Sequence, residues 1–375
     1  MQLIIAWIRL GWHLGRALPA AGLYRLPQRL LLFAVLWAGM GLLTLLHLLG
    51  FAADEILFRR YRSVVVRQPV FIVGVPRSGT TFLQRLLAED TRFTSLTLWE
   101  CLLAPSISER YLWSFLGRLC APLRRGLSRW RWRALERRHP LGWTEPEEDF
   151  LLLFYRGACF LPALICPRSD AYWRLAFFDQ AVGETERKSL MGFYHRCLQR
   201  HLYFHGTDKR LLSKNPSFTP MVDSLRGEFP DARFIACARN PVEALPSQLS
   251  SLAPALALVG QTPGEALVRE RLTTILHHYY CRLNGWRDAP DVWLLPLEDL
   301  PRVLKGGLRE LYAFVGQPLP LDVERRVRTL GDQRNREPST HRYRAVQFGL
   351  YEAHLRHHFA DVWPIPASAS AEKAA

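Results

Sequence analysis

The longest apolar run in the chain, LLLFAVLWAGMGLLTLLHLLGFAA from Leu30 to Ala53, passes twenty-four residues without a formal charge. His47 is its one strongly polar side chain. As a helix it covers roughly 36 Å at about 1.5 Å per residue, enough to cross a hydrocarbon core of about 30 Å with some tilt. The run predicts a transmembrane or membrane-embedded helix; the competing form is a buried or re-entrant hairpin broken at Gly39 and Gly41. A cleaved signal peptide fits poorly, because the run is too long and follows a segment bearing Trp7, Arg9, Trp12 and Arg16, of the kind that lies in a lipid interface. Downstream the pattern changes to short apolar runs alternating with longer helical periodicities, the mark of a parallel sheet covered by helices. Strands are predicted at Val70–Val73, Arg210–Ser213, Arg233–Ala236 and Val292–Leu295. Helices are predicted at Gly79–Ala88, Pro220–Glu228, Pro241–Leu252 and Leu300–Val315. The run FLLLFYRGACFLPALIC, residues 150–166, contains Arg156 and is too short for a second span, so it predicts a buried helix.

Composition adds a bias toward anions. Lys+Arg is 49 against Asp+Glu 34, a formal +15, and only five of the 49 are lysine, leaving 44 arginines. Arginine suits phosphate and anionic headgroups through its flat bidentate fork. Nine arginines fall between Arg110 and Arg138, interleaved with Trp113, Trp130 and Trp132, again a pattern for a lipid interface. A nucleic-acid surface is the competing reading, and no recognition motif of that class accompanies the charge. Membrane orientation is undecided by charge, since Arg9, Arg16, Arg25 and Arg29 on one flank of the apolar run face Arg59, Arg60, Arg62 and Arg67 on the other. Seven scattered cysteines show neither C-x-x-C nor metal-ligand spacing and read as reduced core residues.

The candidate chemistry begins at FIVGVPRSGTTFLQRLL, Phe71 to Leu87. Gly74 and Gly79 have the spacing of a G-x-x-x-x-G-K-[ST] phosphate loop, but Thr80 stands at the lysine position and Arg77 lies inside. A strand enters and a helix leaves, so free amides at the helix start form a nest for an anion, with hydroxyls at Ser78, Thr80 and Thr81 beside it. A nucleoside triphosphatase would also need the lysine and an aspartate for Mg²⁺. No apolar strand ending in such an aspartate stands out, so the loop suits a terminal group of lower charge, such as sulfuryl.

GVPRSGTTFL resembles the 5′-phosphosulfate loop of sulfotransferases that use 3′-phosphoadenosine 5′-phosphosulfate (PAPS), in the bacterial branch related to tyrosylprotein sulfotransferases, where Arg replaces Lys. RFIACARNPVEALPS, residues 233–247, resembles the family's second element, in which Arg239 and Ser247 would grip the 3′-phosphate. Asn240-Pro241 starts a helix that would let the two converge. LLSKNP resembles the element whose lysine, here Lys214, approaches the transferring group. HPLGWTEPEEDFLLL resembles a His-Pro then Glu-Glu-Asp segment, leaving the roles of Glu147, Glu148 and Asp149 open, and HRYRAVQFGL resembles a closing segment. Two departures stand out: Leu297 replaces a tyrosine, which puts a base-ring contact in doubt, and Asn240 replaces a common Asp.

The resemblance implies an α/β fold, a P-loop-like three-layer sandwich with a central parallel sheet between helices. With the sequence pattern it divides the chain into an interfacial and transmembrane anchor (1–62), read from the apolar run, a sulfotransferase catalytic domain (63–366) with a basic, Trp-rich helical insertion at about 105–140, and a disordered tail (367–375), read from composition. It implies a nucleotide cradle of Pro76, Arg77, Ser78, Gly79, Thr80, Thr81, Arg239 and Ser247. PAPS is the expected donor and no metal is expected. Arg77 and Lys214 would stabilise the leaving group, and Glu100, twenty-three residues after Arg77, would be the general base, its pKa raised by burial beside Trp99. A helix-terminus role for Glu100 stays open, as do His139, His195, His201 and His205 as rival bases, with His139 foremost. From the apolar run and the Arg/Trp stretch the acceptor is expected to be a hydroxyl of a lipid, glycolipid or other amphiphile. The catalytic domain would sit at a membrane on the cytosolic side, single-pass or monotopic. Two other readings remain: a P-loop kinase or nucleotidase, and a non-catalytic membrane module with a nucleotide pocket.

Overall fold

All four predicted strands form, because each carries apolar side chains on both faces and needs cover on both sides. The computed structural model describes residues 1–18, 26–119, 145–262, 264–327 and 345–364. Its sheet comprises β1 (Val70–Gly74), β2 (Phe93–Thr94), β3 (Arg210–Lys214), β4 (Arg233–Ala238) and β5 (Val292–Pro296), paired in parallel in the order β2-β3-β1-β4-β5. The two-residue edge strand β2 was not predicted; it is too short for an alternating pattern to register. Phe71 and Val73 point to one core and Val70 and Ile72 to the other, so the period of two survives although every residue is buried. In register, Lys214 lies beside Ile72 and Cys237 beside Gly74, which brings the carboxyl ends of β1, β3 and β4 together.

The helices, in chain order, begin with α1 (Gln2–Ala17) and α2 (Leu26–Leu57), then α3 (Thr80–Leu87), α4 (Leu98–Leu103), α5 (Ile107–Leu119) and α6 (Glu184–His205). After β3 come α7 (Val222–Glu228), α8 (Pro241–Leu258), α9 (Ala266–Gly285), α10 (Leu308–Phe314) and α11 (Glu352–His358). Helices cover both faces of the sheet, the expected α/β sandwich. The residues read as one buried helix, 150–166, are buried but not one helix. A 3-10 helix, Asp149–Arg156, ends at Gly157 with φ 66°, and a short turn, Pro162–Ile165, follows. The helix expected at 300–315 is likewise divided, by a π-helical turn at Val303–Gly307. Helix α2 runs unbroken through Gly39 and Gly41, and Gly41 leaves room for Trp7, which stacks on Trp37 with ring centroids 4.6 Å apart. Of the Arg/Trp stretch, α5 is described; residues 120–144, with His139, and 341–344 of the closing segment lie outside the described residues, as does the tail.

The carboxyl half of α2 packs into the body of the protein through polar groups. Asp54, fully buried, accepts from the backbone N–H groups of Ile107 (3.0 Å) and Ser108 (2.8 Å), the Ser108 hydroxyl (2.7 Å) and Nε of Arg200 (2.8 Å). It thereby joins α2, the start of α5 and α6. The Arg200 guanidinium lies 4.1 Å from the Tyr61 ring centroid and 4.7 Å from that of Phe51. Asp54→Ala leaves a buried guanidinium without its main partner, and a loss of about 3 kcal/mol in urea unfolding is expected. Adding Arg200→Ala should cost much less than it does alone; fully additive losses would show that the two groups do not act as a unit.

Candidate active site

The loop between β1 and α3 is shaped by two constraints on its backbone. Gly74 adopts φ 117°, and a Cβ there would stand 2.0 Å from the carbonyl oxygen of Cys237 on β4, so only glycine lets the strands approach so closely. Arg77, a non-glycine, adopts φ 65°, a conformation that costs on the order of 1 kcal/mol and persists only where surrounding contacts enforce it. Those contacts are present. Arg77 donates from Nε to the Ser247 hydroxyl at 3.1 Å, and its carbonyl accepts from Nη1 of Arg239 at 3.2 Å. Three residues separated by up to 170 positions therefore meet at one turn.

Helix α8 explains how. Asn240 caps it, its side chain accepting from the Val242 N–H at 3.0 Å, and Pro241 occupies the first helical position. Arg239 thus sits at the end of β4 and buried Ser247 two turns into α8, facing the same loop. Arg239 is held meanwhile by Glu243 at 2.8 Å, an exposed i,i+4 pair that contributes little and exchanges readily. Thr80 and Ser78 are buried, Pro76 is half-buried, and Arg77 and Thr81 are exposed at the mouth. Ser78 donates to the Val75 carbonyl at 2.6 Å and so holds the turn. Leu297, at the position lacking the aromatic, packs against Gly79.

Lys214 ends β3 with its side chain almost wholly buried. Nζ donates to Glu148 at 2.8 Å, and Glu147 lies 3.9 Å away. The segment carrying these carboxylates is fixed by Asp149, which accepts from the hydroxyls of Tyr194 (2.7 Å) and Ser213 (2.8 Å) and from the Asn215 amide. Burial pushes the Asp149 carboxyl up, against the lowering effect of those hydrogen bonds. Residues 147–149 are what sequence reasoning left without a role. The run Glu-Glu-Asp was visible, but its partner lysine lies 66 residues onward and no spacing rule connects them.

Glu100 lies in a separate cluster of contacts. It occupies the third position of α4 and forms a capping box with Thr97, accepting from its N–H (2.9 Å) and hydroxyl (2.7 Å). Its other oxygen contacts Nε2 of His205 at 2.6 Å, with Arg110 at 3.6 Å and His201 at 3.7 Å. The carboxylate is 1% exposed and none of its contacts belongs to the loop. The expectation of a raised pKa is corrected: burial alone would raise it, but the hydrogen bond from His205 and the charge of Arg110 hold the carboxyl well below the usual range. His201 is kept neutral by burial, pairing its Nε2 with Thr94 at 2.9 Å, and His195 pairs with Glu228 at 2.6 Å. The ligand atoms of Glu100, His201 and His205 lie within 4.8 Å of one another, a spacing that could hold a metal ion, yet the adjacent guanidinium opposes a second cation there.

Comparison with known proteins places these features in context. The sequence model of the Sulfotransferase family matches residues 69–320. The omega-hydroxy-beta-dihydromenaquinone-9 sulfotransferase of Mycobacterium tuberculosis is 28% identical over 291 residues, covering 76% of this chain and 71% of that protein, and its Mycobacterium bovis counterpart matches equally. Among solved structures, sulfotransferase STF9 of Mycobacterium avium superposes with a TM-score of 0.65 at 22% identity, covering 85% of this chain and 82% of the other. STF1 of Mycobacterium tuberculosis gives 0.57 at 21%, covering 89% and 85%.

Because the folded Glu100 pKa is depressed, its stabilising contribution is complete above the ordinary glutamate value of about 4.3 and is lost as pH falls below it. Glu100→Gln should therefore lower urea stability at pH 7 by about 3 kcal/mol, from the unpaired Arg110, and the gap to wild type should narrow at pH 3 to 4. A pH-independent gap would show that the carboxylate charge is not what Arg110 requires.

Proposed function

The chain belongs to the sulfotransferase family, and from that premise we propose that it moves the sulfuryl group of PAPS to a hydroxyl of a lipid, glycolipid or other amphiphile at a membrane, with its catalytic domain on the cytosolic side. The observation that carries the donor assignment is the meeting of Arg77, Arg239 and Ser247 at one strained loop. A 3′-phosphate would take Arg239 from its exposed pair with Glu243 and accept a hydrogen bond from the Ser247 hydroxyl. The loop amides with Ser78, Gly79, Thr80 and Thr81, bounded by Pro76, would surround the 5′-phosphosulfate. For the acceptor, support comes from the exposed apolar surface of α1 and α2 and from a relative whose name specifies a hydroxylated menaquinone.

Transfer is an in-line displacement: the acceptor oxygen bonds to sulfur as the sulfur–phosphate oxygen bond breaks, and the acceptor proton must leave. Arg77 and Lys214 stabilise charge on the departing phosphate oxygen. The base role expected of Glu100 passes to Glu148, because Glu100 is sealed in its capping box whereas Glu148 is part-exposed beside Lys214. When Lys214 turns to the leaving oxygen, Glu148 is released to accept the proton. Glu100 remains a positioning group that ties α4 to α6.

Purified protein should release 3′,5′-phosphoadenosine from PAPS in the presence of membrane lipid extract and without magnesium. Arg77→Ala and Glu148→Gln should each lower kcat/KM by about 10²-fold or more. Glu148→Gln should leave nucleotide binding by calorimetry intact, whereas Arg239→Ala should weaken it at least about tenfold. Full activity in Glu148→Gln would exclude it as the base, and sulfated products appearing only from water-soluble acceptors would exclude an amphiphile.

A further inference from the structure

Helix α2 is attached to the catalytic body at both of its ends. Near its start, buried Arg29 donates to the carbonyl of Val259 at the end of α8. Toward its end, His47 contacts Glu109 of α5 at 2.5 Å, and Asp54 binds Ser108 and Arg200. Phe33 and Thr44, between them, are also buried. From Arg29 to Asp54 the helix rises about 37 Å, more than the roughly 30 Å of a hydrocarbon core. Were α2 to cross a bilayer, Val259 would lie at one surface and Glu109 and Arg200 at the other. The body connecting them would have to sit in hydrocarbon.

The opposite side of α2 has no partner among the described residues. Leu31, Val35, Leu42, Leu45, Leu49 and Ile56 recur at helical spacing and are 54–81% exposed. Ile4, Ile8 and Trp12 of α1, which stacks on α2 through the Trp7–Trp37 pair, extend this surface. Leu112 and Phe115 of α5, joined to α2 through His47 and Asp54, are exposed as well. At sixteen residues and with Arg9 in its middle, α1 covers only about 24 Å and is too short to span. Exposed arginines flank the apolar side chains: Arg9 and Arg16 on α1, Arg59 and Arg60 after α2, and Arg118 on α5. Apolar side chains beside cations match the interfacial zone of a leaflet containing anionic lipid.

We propose that α1, α2 and α5 form a monotopic membrane face that seats in one leaflet, with no segment among them crossing the bilayer. This rests on the membrane reading above and deepens it. The face also communicates with the active site. The 3-10 helix Asp149–Arg156 has Glu148 at its start, and Tyr155 near its end lies edge-on to His47 of α2, centroids 4.3 Å apart. Seven residues at about 2.0 Å each place the carboxylate roughly 14 Å from that contact. An amphiphile seated in the leaflet would have to raise its hydroxyl by about that distance to reach Glu148.

The test reconstitutes the full chain on sealed phosphatidylcholine vesicles containing one quarter phosphatidylglycerol. Single reporters, Gln28→Cys near the start of α2 and Ser63→Cys just beyond its end, are introduced after Cys120 and Cys281 are changed to serine. An impermeant maleimide should label both from the outside at similar rates; Gln28→Cys reacting only after permeabilisation would overturn the proposal. Leu45→Asp with Leu49→Asp should lower vesicle flotation at least about tenfold with nucleotide binding retained, and unchanged flotation would also overturn it. Should the wild-type chain be a stable dimer that fails to float, the face belongs to a second copy and the proposal falls. Sulfuryl transfer to a short-chain alcohol in detergent reads the chemistry separately, so its failure strikes the functional reading and leaves the membrane face standing.

Discussion

The buried carboxylate of Asp149 is the constraint on which the proposed catalytic centre depends. It gathers Tyr194 from α6 with Ser213 and Asn215 from the end of β3, and so pins the start of the 3-10 helix against the sheet. Asn215 adds a second tie, its side-chain oxygen accepting from the Phe150 N–H at 3.3 Å. With that segment fixed, Glu148 lies beside Lys214. A carboxylate without these three donors would be expelled from such a site or neutralised.

Across the sheet from that anchor, the loop after β1 stores strain of a different kind. Gly74 lets β1 and β4 approach, and Arg77 is held left-handed by groups on β4 and α8. The side chains proposed to hold the donor thus already face one turn. Preorganisation of this kind suits a transfer in which the protein supplies position and charge.

Two further buried carboxylates, Asp54 and Glu100, do for the periphery what Asp149 does for the centre. Asp54 fastens the apolar helix α2 to α5 and α6, while Glu100 neutralises Arg110 and closes α4 onto α6. Helix α6 receives all three, so the proposed membrane face, the capping box and the carboxylates beside Lys214 share one support.

Four strands, the α3 and α8 helices and the phosphate loop were legible from residues 71–87 and 233–247 because their determinants are local: apolar runs, glycine spacing, and an Asn-Pro start. Arg239 and Ser247 were legible because one helix carries the offset between them. Lys214 was legible in LLSKNP, but its pairing with Glu148 was not, since a salt bridge between residues 66 positions apart leaves no periodic trace. The direction of the Glu100 pKa shift was misread for the same reason. Burial is suggested by neighbours in sequence, but the sign of a carboxyl shift is set by charges brought from elsewhere in the fold, here Arg110 and His205. The apolar run likewise determined by itself that α2 would be a long helix. Whether its inner side would meet lipid or protein was decided only when Arg29, His47 and Asp54 found partners on the catalytic body, because hydrophobicity specifies removal from water and not what replaces it.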